Sequence, residues 1–419
     1  MTAVAIPSDV RVADVDAAGV PVVAIDARRQ RLGLFVWALL FANGLAFVAI
    51  PTVITIPSAL GKVLTQGALA LAVVLVLVFN RRRLLRPNLF VALFTVLAAS
   101  SLMMSVRLAT GPGSLFRAGR FCAFIAVLWL LTPLWGRRDR LVLRWHMTCL
   151  IVVLSTVVIG FFVKPGGRAA IDGRLYGQLW PIPPTQVAHY AAVLAGITFV
   201  LMLSGAMRAR RAWFIGTTAV VVLVMTHTRT ALIALIVGLA CAMITLLTSR
   251  RRVRQTLVGM IVVLVLAGTV FAPQVSSWFH RGESAQQVGG LNGRTQVWHD
   301  LIHEPRSRFN EIFGIGLTNK SFTGLSIDNS WLATFQDQGL FGVVICAAVL
   351  ISLLMLAATR PRGPCLAVAI FLIVYCMVAS WTEVGLGDVS PYVLDLAVAA
   401  SLLAVPGDGV VSAFAAANR

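Results

Sequence analysis

The sequence is poor in charged residues, and acidic residues are the scarcer kind. Charged residues make up 12% of the 419 residues, while 58% are hydrophobic. A soluble domain contains about 25% charged and about 45–50% apolar residues. The composition therefore excludes a soluble globular protein. It also excludes a disordered chain, because disorder requires low hydrophobicity.

Cysteine and histidine are also scarce, with six of each. All the cysteines lie in or at the edge of apolar runs, which indicates core thiols and argues against a disulfide framework or a metal site. No Walker A sequence is present, which excludes a P-loop ATPase. The cysteines are Cys122, Cys149, Cys241, Cys346, Cys365 and Cys376.

Long apolar runs dominate the rest of the chain. A membrane-spanning helix requires about 20 apolar residues, and uninterrupted runs lack the period of two that a β-barrel needs. The pattern predicts an all-α polytopic membrane protein with about twelve transmembrane helices. The runs cover residues 33–52, 64–80, 88–106, 116–135, 142–163, 185–204, 212–227, 229–248, 256–272, 338–358, 364–382 and 390–405.

Basic residues predict the orientation of these helices. The net charge of +19 resembles that of a nucleic-acid binder, but the arginines occur in short clusters between apolar runs. With the N-terminus in the cytoplasm, 22 of the 35 Lys and Arg residues fall on the cytoplasmic side. We therefore expect a multi-pass membrane protein with both termini cytoplasmic and no nucleic-acid partner.

This topology divides the chain into five parts. Only one connection between apolar runs is long and polar, and it is expected on the extracytoplasmic side. The parts are a cytoplasmic tail at 1–31, helices one to nine at 32–271, the long extracytoplasmic loop at 272–328, helices ten to twelve at 329–405 and a cytoplasmic tail at 406–419.

Several arginines fall at or near membrane depth on the extracytoplasmic side. Arg120 lies in the fourth run, Arg174 in a short Gly/Pro-rich connection, Arg229 at the start of the eighth run and Arg294 in the long loop. Ionisable groups at this depth are costly and usually functional, and the guanidinium fork fits phosphate oxygens. The pattern favours an anionic ligand, with lipid headgroup contact as the alternative.

Acidic and imidazole groups in the long loop are candidates for acid–base chemistry. Asp328 precedes the tenth run, where it can act either as a helix N-cap or as a general base. His299 and His303 are four residues apart and can share a helix face, and either is an alternative base. No third ligand follows them at a convincing spacing, so we predict no metal site.

The order of these motifs resembles the O-antigen ligase and O-antigen polymerase superfamily. Residues 328–344, DNSWLATFQDQGLFGVV, are similar to its His-Asn-x-x-Leu signature followed by Gly, with matches at Asn329, Leu332 and Gly339. The segments TRTALIALIVG and GRLYGQLWPIP are similar to its Ser/Thr-Arg and Arg-x-x-Gly motifs. Gly293, Arg294 and Trp298 are similar to the start of its long-loop signature.

The resemblance implies a GT-C-like helical bundle with an extracytoplasmic loop over a cavity. It implies transfer of a glycan from undecaprenyl pyrophosphate to a hydroxyl group, with no cofactor and, as usually described, no metal. Arg174 and Arg229 would bind the pyrophosphate, with Arg120 and Arg294 as helpers. The catalytic histidine of the family falls on Asp328, so Asp328 would be the base, with His299 or His303 as the alternative.

The expected function is polymerisation of a surface polysaccharide such as O-antigen or exopolysaccharide. The expected partners are the lipid-linked glycan, the bilayer and polysaccharide export or assembly proteins. Transfer to a lipid or protein acceptor, as in an O-antigen ligase, is the first alternative. A transporter of polyprenyl-linked sugars is the alternative from another class, and Asp395 and Asp337 are the carboxylates placed for proton coupling. A membrane scaffold is the third.

Overall fold

The computed structural model is an almost entirely helical bundle. It describes residues 12–15, 21–23, 27–48, 50–108, 111–137, 139–164, 166, 173–247, 255, 273, 276–278 and 293–405. The helices are α1 (Ala27–Asn43), α2 (Ser58–Phe79), α3 (Leu89–Arg107), α4 (Pro112–Leu131), α5 (Leu141–Val163), α6 (Pro184–Leu203), α7 (Ala209–Met225), α8 (Arg229–Leu247), α9 (Arg294–His303), α10 (Arg308–Phe313), α11 (Ser330–Ala358), α12 (Pro364–Ala379) and α13 (Pro391–Leu403).

Strands are short and peripheral in the described part. The first antiparallel pair joins β1 (Val12–Val15) to β2 (Pro21–Val23), and the second joins β3 (Ser321–Phe322) to β4 (Leu325–Ser326). The prediction of an all-α membrane protein is therefore confirmed.

Eleven of the twelve predicted runs overlap a described helix, and the run at 256–272 lies outside the described residues. Seven helices (α2 to α6, α8 and α11) are long and apolar enough to cross a membrane, while α12 and α13 are apolar but shorter. The full count of twelve spans stays a prediction, and so does the division of the chain into five parts.

The first predicted run is longer than the helix that it contains. The run reaches residue 52, but α1 ends at Asn43, and the residues that follow are irregular and bonded to other segments. Ala46 N donates to Gln186 Oε1 at 2.8 Å, and Tyr176 Oη donates to the carbonyl of Pro51 at 2.7 Å. Non-helical backbone at membrane depth is tolerated where protein covers it, and these bonds supply that cover.

The connections between the helices lie at two opposite ends of the bundle. One end, here called the base end, holds the connections 80–88, 132–140 and 359–363 together with the end of α13. There Gly136 N donates to the carbonyl of Ser401 at 2.8 Å, and Arg360 Nε donates to that of Leu403 at 2.6 Å. The other end, here called the loop end, holds the connections 44–57, 173–183, 226–228 and 380–390.

Close helix packing around α6 forms the centre of the core. A Cβ at Gly196 would lie 1.9 Å from the ring of Phe371, and one at Gly238 would lie 3.0 Å from it. Glycine at these two positions therefore lets α6 and α8 approach α12, as small residues do at helix interfaces in membranes. This packing fixes the start of α8 and the end of α12, which both reach the loop end.

A buried carboxylate joins three helices in the same core. Asp395 of α13 lies 2.9 Å from His146 Nε2 of α5 and 3.0 Å from His189 Nε2 of α6, and none of the three side chains is more than 3% exposed. We call this group the Asp395 cluster. Each carboxylate oxygen of Asp395 thus faces one imidazole nitrogen, and the cluster connects α5, α6 and α13 in the core.

A kink in α11 places the long loop against the bundle. Gly339 has φ 64° inside the helix, and a Cβ there would lie 2.4 Å from the backbone of Ile312. Gly314 has φ 78° and meets the backbone of Asp337 equally closely. Both positions require glycine because of the left-handed backbone and the close approach. The two glycines therefore dock the end of α10 onto α11.

Candidate active site

The turn between α7 and α8 positions two of the predicted arginines. Arg174 Nε donates to the carbonyl of Thr226 at 2.9 Å, and its Nη2 donates to Thr228 Oγ1 at 3.1 Å. Leu175 N also donates to the carbonyl of Met225 at 2.9 Å, which fixes this connection against the end of α7. Arg229 is the first residue of α8, directly after this turn. The structure therefore places both arginines at the same turn.

The third arginine approaches from the long loop. Arg294 opens α9, and its Nη2 lies 2.9 Å from Asp328 Oδ2 in an ion pair whose side chains are 30% and 33% exposed. Its Nη1 donates to the carbonyl of Thr382 at 3.3 Å. Thr382 in turn donates its hydroxyl to Thr230 Oγ1 at 2.6 Å. The segment around Thr382 thus links Arg294 to the start of α8.

Asp328 sits in a strained conformation at this junction. Its φ is 42°, in the left-handed region that few residues other than glycine adopt. Its Oδ1 accepts a hydrogen bond from the hydroxyl of Ser326, while Arg294 holds Oδ2. Strained backbone of this kind is concentrated at functional sites. The two partners fix the direction of the carboxylate, and a third of the side chain stays open to solvent or ligand.

The interpretation of Asp328 as the helix N-cap is wrong. The cap of α11 is Asn329, whose Oδ1 accepts from Trp331 N at 2.9 Å and from Leu332 N at 3.0 Å. Asn329 Nδ2 also donates to the carbonyl of Trp381 at 3.0 Å. Asparagine is as good an N-cap as aspartate, and its position next to the helix gives it the role. The Asp328 carboxylate therefore does not cap α11.

Glu383 is a member of this site that the sequence reasoning missed. Its backbone carbonyl accepts from Ser330 Oγ at 2.7 Å, which brings it beside the start of α11. The pKa of Glu383 is raised to about 7, chiefly by burial and then by the charge of Asp328, against the opposing effect of Arg294 and Arg174. Arg294 therefore acts on both Glu383 and Asp328, and Arg174 acts on Glu383. The available signal was its position directly after an apolar run.

The structure does not bring His299 to this site. Its side chain is 65% exposed on α9, with Nδ1 3.5 Å from Asp300 Oδ1 and its ring stacked on His303 at 4.1 Å. The buried face of α9 instead carries Val297 and Leu301. Histidine at 299 and 303 thus forms a surface pair, as expected for a shared helix face. Among the described residues no group of three or more His, Cys, Asp or Glu side chains is placed to hold a metal ion.

Arg120 lies in a separate polar cluster. Its Nε donates to Asn43 Oδ1 at 3.1 Å and its Nη2 to the Asn43 carbonyl at 2.9 Å, at the end of α1. The charged groups that act on it are Asp388 and Arg117. The structure therefore brings together Arg174, Arg229, Arg294, Asp328 and Glu383, which we call the arginine–carboxylate site, and places Arg120 outside it.

The carboxylates considered for proton coupling are both paired. Asp395 belongs to the Asp395 cluster. Asp337 is buried, forms an ion pair with Lys320, and accepts from Thr318 Oγ1 at 2.7 Å. Burial alone would lower the pKa of Lys320, but the carboxylates of Asp337 and Asp388 raise it. Each carboxylate thus has partners that keep it in one place.

Comparison with known proteins supports one superfamily. The family model described as O-Antigen ligase matches residues 214–347, from α7 to the kinked part of α11. The match contains Arg229, Arg294, His299 and Asp328, whereas Arg174 and Glu383 lie outside it. No curated protein matches the chain. The predicted resemblance is thereby confirmed: residues 214–347 are similar to the O-antigen ligase family, and they lie in a bundle of apolar helices. The match supports a membrane glycosyltransferase of the O-antigen ligase and polymerase type.

Proposed function

We propose that this protein polymerises a surface polysaccharide from undecaprenyl-pyrophosphate-linked repeats. The observation that carries the proposal is the arginine–carboxylate site, where cations from three connections meet two carboxylates at one end of an apolar bundle. A pyrophosphate requires several cations, and an acceptor hydroxyl requires a base. The site provides both within one membrane-embedded structure.

The arginines hold the donor through its pyrophosphate. Arg174 and Arg229 bind the phosphate oxygens, and Arg294 assists while it keeps Asp328 in place. The bond between the anomeric carbon and the phosphate oxygen breaks, and its electron pair stays on the pyrophosphate. Fixed cations stabilise this developing charge without rearrangement, which is commonly the largest contribution to catalysis.

The two carboxylates receive the acceptor proton. The acceptor hydroxyl hydrogen-bonds to Asp328, its oxygen attacks the anomeric carbon, and its proton passes to the Asp328–Glu383 pair. Glu383 holds this proton because its pKa lies at about 7, close to the working pH of a membrane enzyme. The attack occurs opposite the departing pyrophosphate, so the anomeric centre inverts in a single displacement that requires no metal.

The loop end faces the extracytoplasmic side of the inner or plasma membrane, and both termini lie in the cytoplasm. This orientation follows from the arginine clusters at the base end, among them Arg137, Arg360 and Arg86. The substrate then reaches the site from the outer leaflet. Polysaccharide export or assembly proteins would receive the product at the same face.

Purified protein with a native undecaprenyl-pyrophosphate oligosaccharide tests the proposal. With chelator present, we expect longer lipid-linked chains and released undecaprenyl pyrophosphate, both resolved by mass. Product only after addition of a lipid or protein acceptor would identify a ligase instead. No product with any acceptor, together with movement of the donor across a vesicle membrane, would identify a transporter and overturn the proposal.

Two variants that each remove one positive charge distinguish a specific role of the arginine–carboxylate site from a general effect of surface charge. Arg174→Ala removes a cation that is bonded to the turn before α8, and Arg308→Ala removes an exposed cation from the long loop. We expect the first to abolish most of the transfer and the second to retain it. Equal activity of the two variants would contradict the assignment of the pyrophosphate site.

A further inference from the structure

A second cationic region lies at the base end, far from the arginine–carboxylate site. A cavity of about 1200 Å³ opens where α5 begins, α6 ends and α7 begins. The arginine–carboxylate site lies at the opposite ends of α6 and α7, about 30 Å away along the 20 residues of α6. Five arginines line the cavity: Arg140, Arg144, Arg208, Arg210 and Arg211. We call it the base-end cavity.

The positive charge of this cavity is not compensated within the described part of the chain. The one carboxylate in its lining, Asp139, pairs with Arg137 at 2.8 Å, outside the five. Throughout residues 139–164 and 173–247, none of the five guanidinium groups has a hydrogen bond or ion pair to a protein group. Among the described residues, the five cations that line this cavity therefore have no carboxylate partner.

Two helix starts add to this field. Neither α5 nor α7 has an acidic residue in its first turn, and neither has a side-chain cap. Arg144 and the pair Arg210 and Arg211 occupy those first turns instead, where cations oppose the helix dipole. The first N–H groups of each helix also lack a helical partner. A bound anion would relieve the unfavourable charge and accept these N–H donors.

A second part of the cavity wall is apolar. Met147, Ile151, Leu201 and Phe214 line it, and the side chain of Phe214 is 78% exposed. The neighbouring Trp213 is 64% exposed, as is typical of aromatic residues at a membrane interface. An inorganic anion would use the cations and leave this wall uncovered. A ligand with both a phosphate and an acyl chain would use the two walls together.

We propose that the base-end cavity binds an anionic phospholipid of the adjacent leaflet. The phosphodiester lies among the five arginines and the two helix starts, and an acyl chain follows the apolar wall along α5 and α6. Basic pockets between helices at a membrane surface bind such headgroups. The lipid would connect the start of α5 to the connection between α6 and α7, and so stabilise the base end of both helices. This site is independent of glycan transfer.

Arginine clusters of this kind also direct membrane topology, which gives the rival explanation. The two explanations differ in what a matched variant does. R210Q/R211Q removes two exposed cations that line the cavity, and R81Q/R83Q removes two equally exposed cations of the same end that do not line it. General attraction to an anionic surface depends on both pairs equally, while the proposed site depends on the first pair.

Native mass spectrometry of delipidated protein in detergent tests the site directly. Phosphatidylglycerol, phosphatidylcholine with the same acyl chains, and glycerophosphate are added separately. We expect retention of phosphatidylglycerol by the unmodified protein and by R81Q/R83Q, and about tenfold weaker retention by R210Q/R211Q. Phosphatidylcholine and glycerophosphate should bind weakly to all three. The thermal midpoint should rise with phosphatidylglycerol in the unmodified protein and not in R210Q/R211Q.

Equal loss in the two double variants would overturn the proposal in favour of surface attraction. Equal retention of phosphatidylcholine would show that the charge is irrelevant, and tight binding of glycerophosphate would identify a site for a soluble anion. If R210Q/R211Q does not fold, R144Q/R208Q carries the same test. Glycan transfer is not a readout here, so failure of this proposal leaves the proposed polymerase untouched.

Discussion

Two carboxylate groups in this bundle have different surroundings. Asp395 is fully buried between two histidines, and its side chain and theirs are at most 3% exposed. Asp328 is paired with Arg294, and about a third of each side chain is exposed. A ligand can reach only the second. The comparison indicates that the Asp395 cluster is architectural and that the arginine–carboxylate site is functional.

The partners of the two carboxylates support the same distinction between an architectural and a functional group. Both oxygens of Asp395 have imidazole partners from α5 and α6, so the cluster joins three helices. Arg294 instead bonds the partly exposed Asp328 and the carbonyl of Thr382, and Arg174 bonds the turn before α8. A guanidinium carries five N–H donors, so Arg294 keeps donors for phosphate beyond these two contacts. The predictions below test this contrast between an architectural and a functional cluster.

The largest expected effect is on the stability of the Asp395 cluster. Asp395→Asn removes the carboxylate that both imidazoles contact, and loss of a partner by buried polar groups costs about 1–3 kcal/mol for each group. We expect a strong fall of the thermal unfolding midpoint in detergent. Glu304→Gln is the control, because it breaks an ion pair with Arg306 in which Glu304 is 45% exposed. An unchanged thermal midpoint for Asp395→Asn would contradict the architectural role of the Asp395 cluster.

Loss of the Arg174 side chain should lower the rate of glycan transfer rather than the stability of the fold. Arg174→Ala removes a cation from the pyrophosphate site, and loss of one transition-state donor costs about 100- to 1,000-fold in rate. We expect this loss in the transfer assay with a thermal midpoint close to that of the unmodified protein, since the side chain is only half-buried. A large stability loss with intact specific activity would make Arg174 a structural residue and reverse the comparison.

The contrast between the two clusters was only partly predictable from the sequence. Apolar runs predicted the helices because membrane spans depend on length and hydrophobicity alone. They failed at residues 44–48 and 50–52, where apolar residues form an irregular connection instead of a helix. Arg174, Arg229, Arg294 and Asp328 could be proposed from short motifs, since each stands beside a helix end.

Glu383 could not be placed by the same reasoning. It belongs to a connection that bonds back to the start of α11 through Ser330, at a sequence separation of 53 residues. No local pattern encodes such a contact. The Asp395 cluster is similar, because His146, His189 and Asp395 come from three separate helices. Long-range packing creates both groups, so they became visible only in three dimensions.

The pH dependence of transfer sharpens the role of Glu383. Its pKa is raised from 4.5 to about 7, chiefly by burial and then by the charge of Asp328. A base must be deprotonated, so activity should fall as the pH drops through about 7. Glu383→Gln should lower the rate about 100-fold or more and remove this acidic limb. Glu311→Gln, on exposed α10, should keep the limb.

The same shift predicts a change in stability with the opposite pH dependence. The folded protein holds the Glu383 proton more tightly than the unfolded chain, so the contribution of the protonated form is fully present below pH 4.5 and is lost as the pH rises through about 7. Glu383→Gln mimics the protonated form. We therefore expect its thermal midpoint to exceed that of the unmodified protein at pH 8 and to match it at about pH 4, below the unfolded-state pKa. Equal midpoints at both pH values would contradict the raised pKa.

The smallest expected effect concerns His299. Its side chain is 65% exposed and touches Asp300 and His303, on a surface of α9 that does not face Asp328. Substitution of a surface residue usually changes stability by less than about 0.5 kcal/mol, so His299→Ala should change the transfer rate by less than about threefold. H299A/H303A should behave the same way, because the stacked rings lie outside the arginine–carboxylate site. A loss of about 100-fold in either variant, at unchanged stability, would exceed any surface effect. The imidazole would then be the base, α9 would have to turn toward Asp328 when the donor binds, and the partial exposure of Asp328 would reflect that movement rather than a site already assembled.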